Sequence, residues 1–481
     1  MLQLPAECLN EILEYFKEDQ KTLRSCLLVN RLLCKISVRL LWRDVWDYNI
    51  SNYDTLITCL PNKSKEILSK NGIITSITKY PMFNYASFCK VLSINRIYNK
   101  VEQLLLSKKH IVSRNLNEKT LIVAQEICKL FMNQVRSLTE LGFYGHTSEV
   151  ILTSYPGAKD CLKNLSELNC SSNISSEFLY QLSEICHSIK SLNITFEEVN
   201  SNGLSDLISV QKNLKCLSIK QQAQYRRDNK ANDIIPLFTS KHYNTLTKLI
   251  LCGNYDVSLS FVAEFKNLQE LELSFDHNDY EDFERLQHVT FLNLQILKIP
   301  YIFVSYDLLI TFLRNNGNNL REFYVGDGEG YSDNSLNLAI AKFCPKLRKL
   351  STGFKNNEIE TLKMVFKNCY YLESIKLWCG GEYLSEKDAL ESVVKYSHEN
   401  LYELLLCHKY YTQSELLSEE LDSFFINWID RKPQRLISLI IVNDDAISLD
   451  TDENNMEIIE RYKKLGVVKF DIKYHEDDDY S

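Results

Sequence analysis

A short apolar pattern, L-x-x-L-x-L, recurs through most of this 481-residue chain, with other apolar residues at some of its positions. The first copy is Leu138-Leu141-Phe143, and the mean spacing between copies is about 27 residues. Twelve copies begin at Leu138, Leu165, Ile189, Leu214, Leu246, Leu268, Leu294, Leu320, Leu347, Leu372, Leu401 and Leu436. A weaker thirteenth copy begins at Val467. A fixed period of this length indicates a stack of similar structural units.

Each repeat is predicted to contain one strand followed by a return segment that is mostly helical. Within x-L-x-L the apolar residues alternate with period two, which is typical of a strand with one buried face. In DNSLNLAIAKFCPKLRKL (333–350) the apolar residues follow helical spacing up to Phe343, and Pro345 ends the helix before the next strand. One such unit cannot bury its apolar face alone. The predicted class is therefore α/β, a curved solenoid with parallel strands on the concave face and helices outside.

The 15 cysteines fit the same repeat. Cys186, Cys344 and Cys369 each stand three residues before the first position of a copy, where a small buried side chain fits. This subtype resembles the cysteine-containing leucine-rich repeats. No C-x-x-C pair occurs, so the common zinc and redox spacings are absent. The odd number of cysteines and the lack of a signal-peptide pattern predict reduced thiols and a cytoplasmic or nuclear protein.

Charge and motifs exclude several classes of function. The net charge of −8 argues against a nucleic-acid-binding surface. No apolar run reaches the roughly 18 residues of a membrane span. The glycines of VGDGEGY (325–331) lack the Lys-Ser/Thr of a phosphate-binding loop and are interpreted as a turn. No G-x-S-x-G or H-E-x-x-H motif occurs. We therefore expect a chain that is not an enzyme and needs no metal or cofactor.

The region before the first clear repeat is different. Residues 2–46 read as three short helices, with Leu9, Ile12, Leu13 and Phe16 at helical spacing in the first. Residues 47–137 are predicted to be a helical linker and solenoid cap, with a degenerate strand in 87–94 and a helix over 120–134. The predicted domains are 1–46, 47–137, the solenoid 138–474, and an acidic tail 475–481.

The first 46 residues resemble the F-box motif. LPAECLNEILEYF (4–16) matches its Leu-Pro opening and first helix, and LRSCLLVNRLLCKISVRLLWRDV (23–45) matches its middle and end. The departures are Phe16, where Leu is commoner, and Asn30, where Cys is common. The resemblance implies that Trp42 is internal support. It assigns contact with a Skp-type adaptor to Leu4, Pro5, Leu9, Ile12, Leu13, Leu27 and Val29. The alternative is that 2–46 only caps the solenoid, with its apolar residues packed internally.

An F-box followed by leucine-rich repeats implies a function by position. In that family the F-box joins the chain to an adaptor and a cullin–RING scaffold, and the repeats hold a protein target for ubiquitination and proteasomal degradation. The predicted function is thus substrate recognition in an SCF-type ubiquitin ligase. Two other classes stay open: a leucine-rich-repeat scaffold or inhibitor without a link to ubiquitin, and an enzyme with an unrecognised site.

Target contacts are predicted on the concave sheet, where aromatic side chains facing outward would be typical of interface hot spots. The predicted contact residues are Tyr144, Phe196, Phe275, Lys298, Tyr301, Tyr324, Phe354, Lys376 and Trp378. Further charged strand positions expected to tune specificity are Glu270, Glu272, Glu322 and Lys349. The alternative is that some of the aromatic residues cap the edge of the core. The long repeats beginning at Leu214 and Leu401 are two further candidates for a binding face.

Overall fold

All thirteen copies of the repeat form β-strands in the computed structural model of this chain. The structure describes residues 4–73, 81–107, 115–144, 151–197, 202–221, 231–253, 258–275, 283–301, 305–326, 330–408, 412–433, 435–443 and 448–474. Residues 222–230 of one long repeat, 409–411 and 434 of the other, residues 327–329 of the glycine-rich turn and the acidic tail lie outside them. The chain divides into two compact units, Met1–His242 and Tyr243–Ser481.

The first unit contains a parallel sheet that follows chain order. Its strands are β1 (Val91–Ser93), β2 (Glu140–Phe143), β3 (Glu167–Ser171), β4 (Ser191–Phe196) and β5 (Cys216–Gln221). Its helices are α1 (Ala6–Glu14), α2 (Gln20–Cys26), α3 (Arg31–Leu41), α4 (Ile50–Cys59), α5 (Asn62–Lys70), α6 (Ile94–Ser107), α7 (Leu116–Gln134), α8 (Ala158–Leu162), α9 (Ser176–Ile185), α10 (Gly203–Val210) and α11 (Ala231–His242). The three predicted N-terminal helices, the degenerate strand and the helix over 120–134 are therefore present.

The second unit repeats the same architecture. Its strands are β6 (Lys248–Gly253), β7 (Glu270–Ser274), β8 (Ile296–Ile299), β9 (Glu322–Val325), β10 (Lys349–Thr352), β11 (Ser374–Cys379), β12 (Glu403–His408), β13 (Ile437–Asn443) and β14 (Val468–Tyr474). Its helices are α12 (Tyr306–Asn316), α13 (Asn334–Phe343), α14 (Ile359–Asn368), α15 (Glu386–Tyr396), α16 (Ser418–Ile429) and α17 (Glu453–Lys464). The predicted α/β class, with parallel strands in one layer and helices in the other, is confirmed.

Register follows directly from the repeat. Leu141, Leu168 and Leu192 are paired with one another across β2, β3 and β4, and each is fully buried. Because corresponding positions of successive copies align, the inward-facing apolar side chains of neighbouring copies pack side by side, and the core runs along the helix-facing side of each sheet.

The repeat cysteines lie in this core, as predicted. Cys186, Cys344 and Cys369 are fully buried, and the Cys186 thiol donates to the Leu162 carbonyl oxygen at 3.1 Å. Burial raises the pKa of Cys186 and of Cys369 to about 12. These thiols therefore stay protonated and act as small apolar packing groups.

The three N-terminal helices are joined to the sheet of the first unit through the residues after α3. The Arg43 carbonyl oxygen accepts hydrogen bonds from the backbone N–H groups of Lys90 and Val91 at 2.7 and 3.1 Å. Trp42 is buried, and its ring packs on Tyr85 with centroids 4.4 Å apart. Its internal role, implied by the F-box resemblance, agrees with this position.

Candidate functional site

The N-terminal helices contain a small core of their own. Leu13, Leu23, Ile36 and Leu40 are buried together, and Leu9 packs against them partly buried. Leu9 and Leu13 are four residues apart, so they share the face of α1 that packs on this core. The prediction that Leu13 contacts an adaptor is corrected, because its side chain is an internal core residue in this structure.

A second set of apolar side chains in the same segment is exposed. Ile12 and Phe16 share a spacing of four residues and stand outside the core, while Val29 lies in the connection between α2 and α3. We call the set the N-terminal apolar side chains: Leu4 (52% exposed), Ile12 (45%), Tyr15 (89%), Phe16 (39%), Leu28 (90%) and Val29 (64%). Single exposed apolar residues are ordinary, but six between positions 4 and 29 are many for one short segment.

The adaptor-contact predictions divide into three groups in this structure. Leu4, Pro5, Ile12 and Val29 are exposed, Leu9 and Leu27 are half-buried, and Leu13 is buried. Sequence reasoning did not include Tyr15 or Leu28, which are the two most exposed of the N-terminal apolar side chains. Leu28 could have been found from its position in the turn directly before the N-cap of α3, where a leucine has no helical face to join.

Caps hold these exposed positions in place. The Asn30 side chain accepts from the backbone N–H groups of Leu32 and Leu33, both at 2.9 Å, and so begins α3 directly after Val29. The Glu14 carboxylate accepts from the Arg43 guanidinium at 2.9 Å, which ties the end of α1 to the end of α3. The exposed side chains therefore project from a backbone whose turns are hydrogen-bonded.

Two carboxylates on the solvent-facing side of the first unit's sheet have no ion-pair partner among the described residues. Glu140 and Glu167 are neighbours in register on β2 and β3. Asn169 donates to Glu140 at 2.9 Å, and Asn193 donates to Glu167 at 3.2 Å. Burial, and then the neighbouring Glu167, raises the pKa of Glu140 to about 7. Among the residues that the structure describes, no lysine or arginine forms an ion pair with either carboxylate.

The corresponding face of the second unit balances its own charges. Glu270 lies 3.1 Å from the Lys248 ammonium and 3.7 Å from that of Lys298, and Glu322 lies 3.6 Å from Lys349. Tyr324 is half-buried here and donates through its hydroxyl to Glu322 at 2.9 Å. These exposed pairs add little stability, but they leave this face close to neutral.

Three of the predicted outward aromatic residues face inward instead. Phe196, Phe275 and Phe354 are buried. Each stands two residues after the previous inward-facing residue of its strand, so its side chain also faces inward. Phe196, for example, follows Leu192 and Ile194 at spacings of two. These three residues are corrected from predicted target contacts to core residues, as the alternative reading proposed.

Trp378 is also buried, for a different reason. It has the outward parity of β11, yet Tyr383, Cys407 and Val442 pack around it to form a second apolar cluster on that side of the sheet. A Cβ atom added at Gly330 would lie 2.5 Å from the indole, so Gly330 lies directly against the ring. Lys376 beside it is only 6% exposed. Both are corrected: they are not on an open surface.

The remaining predicted contact residues stay accessible. Tyr144, Tyr301, Tyr324 and Lys298 are half-buried at or next to strand ends. The Tyr144 backbone is fixed in place, because its N–H donates to the Asn95 side chain at 2.9 Å and its carbonyl accepts from that side chain at 3.0 Å. The predicted contact residues that stay accessible therefore lie after β2 in the first unit and on or next to β8 and β9 in the second.

These features define a leucine-rich-repeat fold, an architecture suited to protein interaction. Comparison with models of known protein families gives no match, and comparison with curated proteins gives none. Among solved structures, the chain is similar to the leucine-rich repeat-containing protein LegL7 from Legionella pneumophila, with 14% identity, 68% of this chain and 91% of that chain covered, and a TM-score of 0.32. It is also similar to an internalin from Listeria monocytogenes, with 12% identity, 79% and 96% covered, and a TM-score of 0.33.

No helix among the described residues combines the length and apolar character needed to cross a membrane.

Proposed function

We propose that this chain is the substrate-recognition subunit of an SCF-type ubiquitin ligase. The observation that carries the proposal is the N-terminal segment, which has a small core of its own and still exposes six apolar side chains directly before the repeats. In this proposal the segment binds a Skp-type adaptor and, through it, a cullin–RING scaffold. The chain acts in the cytoplasm or nucleus, needs no cofactor and carries out no chemical step itself.

A solenoid cap alone does not account for these exposed side chains. A cap would turn its apolar residues toward the stacked repeats, as Trp42 does, and present polar residues to solvent. Ile12 and Val29 do the opposite. Covering one such aliphatic side chain on binding is worth about 1.5–3 kcal/mol, so a few of them together would supply much of the affinity of a specific complex.

The contribution of such a subunit to ubiquitination is positional. Holding a target near a conjugating enzyme that carries ubiquitin raises the effective concentration of the reacting groups and limits their orientation. The repeats of the first unit, joined by backbone hydrogen bonds to the N-terminal helices, are suited to that role.

The target would bind the accessible sheet faces. The first unit presents Glu140 and Glu167 without cationic partners among the described residues, and Asn169 and Asn193 beside them. Charge complementarity favours a target that offers lysine or arginine side chains to this face. On the sheet face of the second unit, the lysine and glutamate side chains already pair with one another. These pairs would orient the target and exclude mismatched partners more than they would add affinity.

Co-purification of the full chain with the Skp-type adaptor of its host tests the proposal. Ile12→Asp combined with Val29→Asp places two charges among the N-terminal apolar side chains. Leu292→Asp is the matched control, because Leu292 is an exposed leucine (74%) in the second unit. Thermal unfolding establishes that all three proteins fold.

We expect the wild type and Leu292→Asp to retain the adaptor and the double variant to lose it by at least a hundredfold in affinity. If the folded wild type does not bind the adaptor, the ligase proposal is rejected in favour of a scaffold or inhibitor without a link to ubiquitin. If the double variant binds as well as the wild type, the assigned surface is wrong.

A further inference from the structure

Among the residues that the structure describes, the last strand of the second unit is paired along one edge only. One edge of β14 pairs with β13 from Val468 to Tyr474, and no described residue pairs with the other edge. The Ile437 N–H donates to the Val467 carbonyl oxygen at 3.0 Å, which sets the ladder so that odd-numbered residues of β14 bond to β13. The Ile472 N–H donates to the Asp471 side chain at 3.0 Å and not to β13, and pairing with another strand would replace that local bond. The backbone groups of Val468, Phe470, Ile472 and Tyr474 therefore point away from the sheet.

The core is incompletely covered at the same edge. Phe470 and Ile472 continue the inward face of the sheet, but both are half-buried. The residues aligned with them on β13, Leu439 and Ile441, are fully buried. A further strand beside β14 would cover this apolar surface and bond to the backbone groups that point away from β13.

Charges on the other face of β14 alternate in a way that favours one kind of neighbour. Lys469 and Asp471 are both exposed, two residues apart. In an antiparallel pairing that sets Phe470 opposite Phe470 of a second copy, Lys469 of each chain stands opposite Asp471 of the other. A two-fold axis makes this opposite-charge pair occur twice. The pairing that sets Asp471 opposite Asp471 would instead bring like charges together.

We propose that the edge of β14 that points away from β13 pairs with β14 of a second copy of this chain, in an antiparallel two-fold dimer that continues the sheet across the interface. The segment VKFDIKY (468–474) contains no proline or glycine, so nothing in it prevents pairing along the whole strand. The proposal concerns the second unit alone and does not depend on adaptor binding.

Sedimentation velocity of the full chain over about 1 to 100 µM, with multi-angle light scattering, tests the dimer. The expected mass rises with concentration toward twice 56.1 kDa. Lys469→Asp and Asp471→Lys, made singly, place like charges opposite each other twice, and each should raise the dimer dissociation constant about tenfold. The double exchange Lys469→Asp/Asp471→Lys should restore it.

Lys464→Asp is the matched control, because Lys464 is an exposed lysine in the last turn of α17 and should leave the dissociation constant unchanged. Amide hydrogen exchange supplies a second measurement: residues 468, 470 and 472 should be protected more strongly at high concentration than at low concentration. A wild-type chain that stays monomeric throughout the range overturns the proposal. So does a dimer whose dissociation constant is unchanged by the single substitutions or not restored by the double exchange.

Discussion

The Glu140→Gln substitution is expected to stabilise the first unit in a pH-dependent manner. Burial and the adjacent Glu167 raise the pKa of Glu140 from 4.5 to about 7 in the folded chain. A carboxyl group whose pKa is higher in the folded state binds protons more tightly there. The free energy of unfolding therefore falls as the pH rises from about 4.5 to about 7, and this loss is complete above that range. Glutamine removes the loss, since it carries no charge.

The size of the effect follows from the same shift. Each pKa unit corresponds to about 1.4 kcal/mol, so the upper limit is about 3 kcal/mol. Glu140 is only partly buried, and solvent screening reduces the expected gain to about 1 kcal/mol at pH 8, falling to nearly zero at pH 4. The glutamine carbonyl can still accept from Asn169, so that hydrogen bond is retained.

Thermal unfolding of the full chain at pH 4 and pH 8 measures the effect. A gain of about 1 kcal/mol in a unit of this size raises the unfolding midpoint of the first transition by about 2 °C. Glu270→Gln is the matched control, because Glu270 occupies the same repeat position but lies 3.1 Å from the Lys248 ammonium. It should leave stability at pH 8 unchanged or lower it. Equal midpoints for Glu140→Gln and the wild type at pH 8, or an equal gain for Glu270→Gln, would refute the reasoning.

Two further substitutions test packing by thermal or denaturant unfolding. Leu13→Ala should destabilise the N-terminal helices by about 2–4 kcal/mol, because it opens a cavity in their core. Ile12→Ala, one position away on the exposed side, should cost less than about 0.5 kcal/mol. Similar losses would contradict the division of α1 into two apolar faces. Gly330→Ala should lower the free energy of unfolding by more than about 3 kcal/mol, since the new Cβ atom would clash with Trp378. Gly466 has a similar positive φ but open space around it, so Gly466→Ala should lower the free energy of unfolding by only about 1 kcal/mol. An equal cost at both glycines would show that backbone strain alone accounts for the effect.

Much of the repeat fold could be predicted because its information is local. Period-two alternation and the mean spacing of about 27 residues place the thirteen strands from β2 to β14. The same alternation, extended one step past Ile194, would have placed Phe196 inside the core. Trp378 is different, because its burial depends on the turn near Gly330, which is 48 positions earlier in the chain and belongs to another repeat. Contacts of that kind leave no signal in the spacing of one strand.

The N-terminal segment shows a related limit. Leu9 and Leu13 have the same helical spacing as Ile12 and Phe16, so the sequence of residues 4–16 contains two apolar stripes of similar strength. Which stripe packs on α3 is decided by the tertiary position of α3 and by the Arg43–Glu14 ion pair that ties the two helix ends together. The exposed stripe, and with it the candidate adaptor surface, could be assigned only from the structure.

The hydrogen bonds that Lys90 and Val91 donate to Arg43 have a mechanical consequence. They make the end of α3 the neighbour of β1 in the ladder, so no flexible hinge separates the N-terminal helices from the first strand. A partner bound to those helices is therefore held at a fixed distance and orientation from the sheet face of the first unit. A chain that begins after Trp46 would lose the acceptor for the N–H groups of Lys90 and Val91, and with it the packing of Trp42 on Tyr85. Removing the helices therefore damages the end of the repeats as well as the surface they carry.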